Sequence, residues 1–104
     1  MLANRKGHNG HLRLDINGAF IRRTDWSDGD LVGANLSMAD ATGAVFDNAD
    51  LRDAELDETI LIGADLSGAK NLTADQLGSA VIDDTTSLPD YIDRHALGRA
   101  RERS

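Results

Sequence analysis

The stretch Ala34-Asn35-Leu36-Ser37-Met38-Ala39-Asp40-Ala41-Thr42-Gly43-Ala44-Val45-Phe46-Asp47-Asn48-Ala49-Asp50-Leu51-Arg52-Asp53 repeats itself every five residues. Its apolar positions are Leu36, Ala41, Phe46 and Leu51, and two residues before each stands an alanine: Ala34, Ala39, Ala44 and Ala49. The same rhythm runs outward in both directions. Toward the N-terminus the apolar positions are Leu31, Trp26, Ile21 and Ile16, and toward the C-terminus Leu56, Leu61 and Leu66. The small positions follow as Ala19, Thr24 and Gly29 on one side and Ala54, Thr59, Ala64 and Ala69 on the other, with only Leu14 large. An amphipathic helix repeats its apolar face every three or four residues and a strand every two, so a sustained period of five belongs to neither. It marks a solenoid, in which a short unit buries its face only against its neighbours.

The units Ala34-Asn35-Leu36-Ser37-Met38, Ala49-Asp50-Leu51-Arg52-Asp53 and Ala64-Asp65-Leu66-Ser67-Gly68 fit the pattern A-(D/N)-L-x-x, and eleven consecutive units stand in register. The chain therefore resembles the pentapeptide repeat family from Leu14 to about Lys70. The resemblance implies an all-β solenoid: a right-handed, quadrilateral β-helix with one unit per side and four per coil, here about three coils. Corners every five residues bring successive coils to about 4.8 Å, the spacing of neighbouring strands. Side chains twenty positions apart then stack: Ile16 on Leu36 on Leu56, Ile21 on Ala41 on Leu61, Trp26 on Phe46 on Leu66, and Leu31 on Leu51.

Four segments follow. Residues 1–13 form an N-terminal arm or partial coil, 14–70 the β-helix, 71–93 a C-terminal helical cap and turn, and 94–104 a basic tail. Thr73-Ala74-Asp75-Gln76 reads as a capping box that starts a short helix through about Ala80, placing Leu77 and Val81 over the last coil. Asp84 to Pro89 reads as a turn, and Asp90 to Arg101 as a second helix presenting Tyr91, Ile92, Ala96 and Leu97. At the other end, the section through Ile16, Ile21, Trp26 and Leu31 is either an uncapped surface for a homodimer or partner, or is completed by Gly10 to Arg13 with His11 as a lid.

At 104 residues with no cysteine and a net charge of −7, the chain is one small domain without disulfides or thiolate metal sites. No apolar run reaches membrane-spanning length, and the first residues lack the apolar core of a signal peptide, so the expected location is cytoplasmic. An acidic body lies between a head carrying Arg5, Lys6, Arg13, Arg22 and Arg23 and a tail with four arginines.

No catalytic constellation is present: Ser27, Ser37 and Ser67 take outward repeat positions with no histidine in register, and His8, His11 and His95 lie outside the repeats. Asp30 and Asp50 share a column that Lys70 continues, which favours neutralisation by side chains over a bound cation. No cofactor and no metal is expected, no phosphate-binding glycine loop occurs, and no basic aromatic face offers direct contact with nucleic acid. The expected function is a non-enzymatic protein–protein interaction or scaffolding module, whose partner is a protein, self or other. Its candidate surface is Trp26 at the open first coil together with Phe20, Ile60 and Ile62, outward on one side and either covered by the C-terminal segment or free for a partner. The alternative, implied by the family resemblance, is an acidic mimic of DNA acting on a type II topoisomerase such as gyrase. Three coils span only about 15 Å, less than half of a DNA turn of about 34 Å.

Overall fold

The computed structural model describes residues 13–95 and residue 97. The twenty-residue register is met at every corner of the first three coils. Parallel bridges join Asp15 to Asn35, Phe20 to Asp40, Asp25 to Val45 and Asp30 to Asp50, and the next tier joins Asn35 to Glu55, Asp40 to Ile60, Val45 to Asp65 and Asp50 to Lys70. The chain is thus a β-helix whose coils are pinned at four corners. It differs from an ordinary all-β protein, because each corner contributes one bridging residue and no longer strand forms among the described residues. The reason is local. Each apolar residue opens a turn closed by a backbone bond to the small residue three positions on, as Ala19 N–H donates to Ile16 O at 3.0 Å and Ala39 N–H to Leu36 O at 3.0 Å. Only one residue is left to extend before the next turn.

The turn imposes a demand that residue type does not announce. Its third residue has positive φ in unit after unit: Gly18, Arg23, Asp28, Gly33, Met38, Gly43, Asn48, Asp53, Glu58 and Gly63, with φ from 57° to 72°. This is the type II signature, which favours glycine or asparagine at that point. Arg23, Met38 and Glu58 sit there at a cost of about 1–2 kcal/mol each for left-handed backbone. The ladder around them offsets that cost, since Met38 N–H donates to Asp57 O at 2.9 Å and Glu58 N–H to Ser79 O at 2.8 Å.

The interior follows the two inward positions of each unit. Leu31, Leu36, Phe46, Leu51, Leu56, Leu61 and Leu66 are buried along the axis, while Ala34, Ala39, Ala44, Ala49, Ala54, Ala64 and Ala69 are buried at the corners. Each leucine taken from water contributes about 2 kcal/mol. Thr59 takes an alanine position at no exposure because its hydroxyl donates to Leu36 O in the coil before, at 2.7 Å. Ile16, Ile21 and Trp26, in the first coil, are packed against this core and remain half-buried.

Where a corner carries an outward Asp or Asn, that side chain is part of the turn. Asp15, Asp25, Asp30, Asn35, Asp40, Asp50 and Asp65 each accept, through Oδ1, the N–H of the residue two positions on, at 2.9 to 3.2 Å. These are Asx turns, in which a short side chain stands in for a backbone acceptor.

The C-terminal end is closed by a degenerate fourth coil. The capping box forms as expected, with both reciprocal bonds between Thr73 and Gln76, but α1 spans Ala74–Gly78 and stops short of Ala80. Leu77 is buried as expected, whereas Val81 does not lie over the end: it bridges to Ile60 as the next member of that outward column. Ser87, in the segment expected to be only a turn, bridges to Asp65. The register has slipped from twenty to twenty-one and twenty-two residues, because α1 and the Asp83–Thr86 turn insert length. Ala80 and Thr86 still fill small inward positions, with Ile82 and Leu88 packed on the core behind them.

Each corner carbonyl of the third coil has a donor. Thr59 O accepts Val81 N–H and Ala64 O accepts Ser87 N–H, at 2.8 and 2.9 Å. At the other two corners side chains substitute for backbone. Gln76 Nε2 donates to Ala54 O at 2.9 Å and to Leu51 O at 2.8 Å, and the Tyr91 hydroxyl donates to Ala69 O at 2.6 Å. Arg94 adds bonds to the carbonyls of Asp83 and Thr86, and Leu97 is buried against the core. The second helix, expected from Asp90, does not start there: residues 90–92 form a turn and helical backbone begins only at Arg94. Ala96 and residues 98–101 lie outside the described residues, as does the arm before Arg13 with His8 and His11.

Candidate interaction surface

The side that carries Phe20, Ile60 and Ile62 is built from units 19–23, 39–43 and 59–63. Phe20, Asp40, Ile60 and Val81 form one outward column through successive bridges. Phe20 is 74% exposed, while Ile60, Ile62 and Val81 are half-buried. The three expected residues therefore share a side but do not form one unbroken apolar patch. Asp40 stands between Phe20 and Ile60 and accepts Arg22 Nε at 2.8 Å, and the Arg22 guanidinium lies 5.0 Å from the centre of the Phe20 ring. Thr42 and then Arg22 bond the Asp40 carboxylate and hold it below the usual carboxylate range. Met38, 59% exposed at its turn, adds an apolar side chain beside this side that the repeat pattern does not single out.

The C-terminal segment does not cover Phe20. Tyr91 turns instead to the side through Ala69 and Leu72, where its hydroxyl accepts Leu72 N–H at 3.2 Å as well as donating to Ala69 O. Trp26 sits apart from Phe20, one side further round the first coil. Its indole N–H donates to Thr24 Oγ1 at 2.6 Å, and Thr24 Oγ1 donates to Ile21 O. The indole is thus anchored in the core with its polar atom satisfied, half-exposed at the first coil.

The two ends of the coil stack differ in their hydrogen bonding. At the first coil, each of Asp15, Phe20, Asp25 and Asp30 turns its own N–H and C=O away from the second coil. Among the described residues none of these eight groups has a partner.

A shallow cleft of about 420 Å³ runs between two sides, lined by Asp28, Asp30, Asn48, Asp50, Arg52 and Lys70 with Gly29 and Val32. Its carboxylates are already engaged: Asp28 accepts Asn48 Nδ2 at 2.7 Å, and Asp50 accepts Asn71 Nδ2 at 2.9 Å and Arg52 N–H at 3.1 Å. The Asn71 bond is the main reason that the Asp50 pKa is lowered, and Arg52 and Lys70 add to it. Bonds from Ser27, Ser67 and Thr85 lower Asp25, Asp65 and Asp83 in the same way. No group of three potential metal ligands occurs among the described residues, and none of their helices is long and apolar enough to cross a membrane.

The comparisons with known proteins agree with this geometry. The family description "Pentapeptide repeats" matches in eight copies, over residues 14–48 and 30–68. A crystal structure of a pentapeptide repeat protein, Rfr23, from the cyanobacterium Cyanothece 51142 superposes with a TM-score of 0.60 at 28% identity, over 71% of this chain and 50% of that one. The chain thus spans half the length of that solved protein, and the likeness implies a right-handed β-helix. No curated protein matches the sequence.

Proposed function

The chain belongs to the pentapeptide repeat family, and on that premise we propose that it is a non-enzymatic protein–protein interaction or scaffolding module acting in the cytoplasm. The observation that carries this is the side through Phe20, Ile60, Ile62 and Val81, where four outward positions hold apolar residues, while Val32, Met38 and Val45 stand singly elsewhere. Apolar side chains gathered on one face of an acidic surface gain free energy by docking against a partner. Aromatic residues and arginine are among the residue types enriched at protein interfaces. The bulk of the molecule is committed to stacking, and the described residues bring no nucleophile, base and orienting group together.

The test is affinity capture from the native host with the wild-type protein and with Ile62→Asp. Asp47 and Asp57 occupy the corresponding turn position and are exposed, so the substitution leaves the coil intact. Loss of a partner with Ile62→Asp supports the reading; an identical set of captured proteins refutes it.

One observation favours the alternative, an acidic mimic of DNA acting on gyrase. Asp47, Asp53, Asp57 and Glu58 are all exposed, and hydrogen bonds keep Asp50 and Asp65 ionised to low pH. Against it stand the short stack and the cations Arg52 and Lys70 on the same surface. A supercoiling assay separates the two. Asp47→Lys with Asp50→Asn and Asp65→Asn removes charge while the two asparagines keep the Asx turns. Stoichiometric inhibition that those changes and added salt both weaken supports mimicry; no inhibition refutes it.

A further inference from the structure

We propose that the protein forms a two-fold symmetric, head-to-head homodimer in which the first coils of two copies pair antiparallel through Asp15, Phe20, Asp25 and Asp30. This goes beyond the interaction reading, because it concerns the end of the coil stack and names a second copy of this chain as the occupant.

Four corner residues carry the inference. Within the stack, each corner residue gives its N–H and C=O to the coil before it: Asn35 N–H donates to Leu14 O, and Asn35 O accepts Ile16 N–H. In the first coil, Asp15, Phe20, Asp25 and Asp30 present the same pair of groups with no partner among the described residues. An unpaired row of backbone donors and acceptors is a template for pairing with another chain. The groups also define which chain fits. A residue that offers both its N–H and its C=O in one direction is half of an antiparallel hydrogen-bonded pair, in which two facing residues exchange both bonds.

A second copy supplies that arrangement at every corner at once. Turning one coil over by a two-fold axis perpendicular to the stack brings it face to face with the other. The two chains then run in opposite directions, and the four corners of one meet the four corners of the other. Such an interface is isologous and closes at two copies. The other end of a neighbour offers no matching row of four, because only Val81 and Ser87 continue the corner ladder there, while the side chains of Gln76 and Tyr91 stand in at the other two corners.

The side chains select the axis. A two-fold through the Phe20 corner sets Phe20 opposite its own copy, an aromatic cross-strand pair that removes the most exposed hydrophobic side chain from water. It also leaves Asp30 facing Asp30 and Asp15 facing Asp25, and like charges directly opposite are unfavourable. Association therefore strengthens as salt screens those carboxylates. A single coil end is a small footprint, at the low end for a specific interface, so the dimer is a weak, concentration-dependent one.

The experiment combines sedimentation velocity with residue-resolved amide exchange on the full chain, over concentrations from about 5 to about 500 µM, suited to a small, weak interface. The expected result is a monomer–dimer equilibrium that tightens with salt, with exchange at Phe20, Asp25 and Asp30 slowing as concentration rises. Phe20→Lys places two cations on the axis and raises the dissociation constant by about tenfold or more, with Trp26 emission unchanged. Ile62→Asp, on the side proposed for other partners, leaves the dimer intact. A monomer at all concentrations overturns the proposal, as does exchange at those three amides that is independent of concentration. A dimer abolished by Ile62→Asp and indifferent to Phe20→Lys also overturns it, while leaving the interaction reading standing.

Discussion

Gln76 is the side chain on which the closed end most depends, and replacing it by methionine isolates what its amide does. Nε2 donates to Leu51 O and Ala54 O, and Oε1 accepts Thr73 N–H at 2.8 Å, so one half-buried side chain joins α1 to the third coil and caps its own helix. Methionine keeps the length and helix propensity but makes none of these bonds. Leu51 O retains Ala54 N–H at 3.1 Å; Ala54 O retains nothing. Three bonds at about 0.5–1.5 kcal/mol each, with one carbonyl left to water at a partly covered site, give a loss of about 2–4 kcal/mol. That is a large share of the stability of a small domain. For a chain of this size it lowers the melting temperature by roughly 10–30 °C. Gln76→Glu should be at least as damaging at neutral pH, because it turns a carboxylate toward two carbonyl oxygens while keeping the bond from Thr73 N–H. Thermal unfolding followed by circular dichroism reads both variants. A Gln76→Glu protein that melts with the wild type would show that the amide does not bridge the third coil, and the account of the closed end would fail.

Two further outcomes follow from the turns. Asp25, Asp40, Asp50, Asp65 and Asp83 have folded-state pKa values lowered from the ordinary 3.8. Such groups add stability that is present above the unfolded value and is lost as pH falls through the folded one. The melting temperature should therefore hold from neutrality down to about pH 4 and fall below it, with a shallower fall in Asp65→Asn; a melting temperature that rises below that pH contradicts the Asx turns. Met38→Gly should raise stability by about 0.5–1 kcal/mol, since relief of left-handed strain exceeds the added freedom of glycine in the unfolded chain. Chemical denaturation that finds Met38→Gly less stable than the wild type refutes the turn assignment.

The sequence made the coil legible because period and register are carried by side-chain size, which a single chain displays. The columns from Ile16 to Leu56 and from Leu31 to Leu51, and the capping box at Thr73 and Gln76, needed nothing else. The left-handed turn residues were hidden because Arg23, Met38 and Glu58 are not residue types that announce positive φ. The outward aspartates look like a solubilising shell until their carboxylates are seen to close Asx turns. The fourth coil escaped because its units slip out of step, although Ala80-Val81-Ile82 and Thr86-Ser87-Leu88 keep the small-outward-large order six residues apart. Phe20, Ile60 and Ile62 were placed outward by the repeat alone. That Asp40 and Arg22 divide them depends on a side chain eighteen residues away in sequence, beyond the reach of pattern.

The central claim is the register: within every unit one position faces a narrow corner and another faces solvent, at a spacing that never varies through the three coils. Ala54 is buried at a corner and Asp57, three residues on, is exposed at the turn position where Arg22 and Arg52 stand in their own units. Thermal unfolding of Ala54→Arg beside Asp57→Arg tests it most directly. The account predicts that Ala54→Arg unfolds the chain, since an unpaired charge in that corner costs several kcal/mol, while Asp57→Arg melts within a few degrees of the wild type. Equal melting temperatures for the two variants would contradict it.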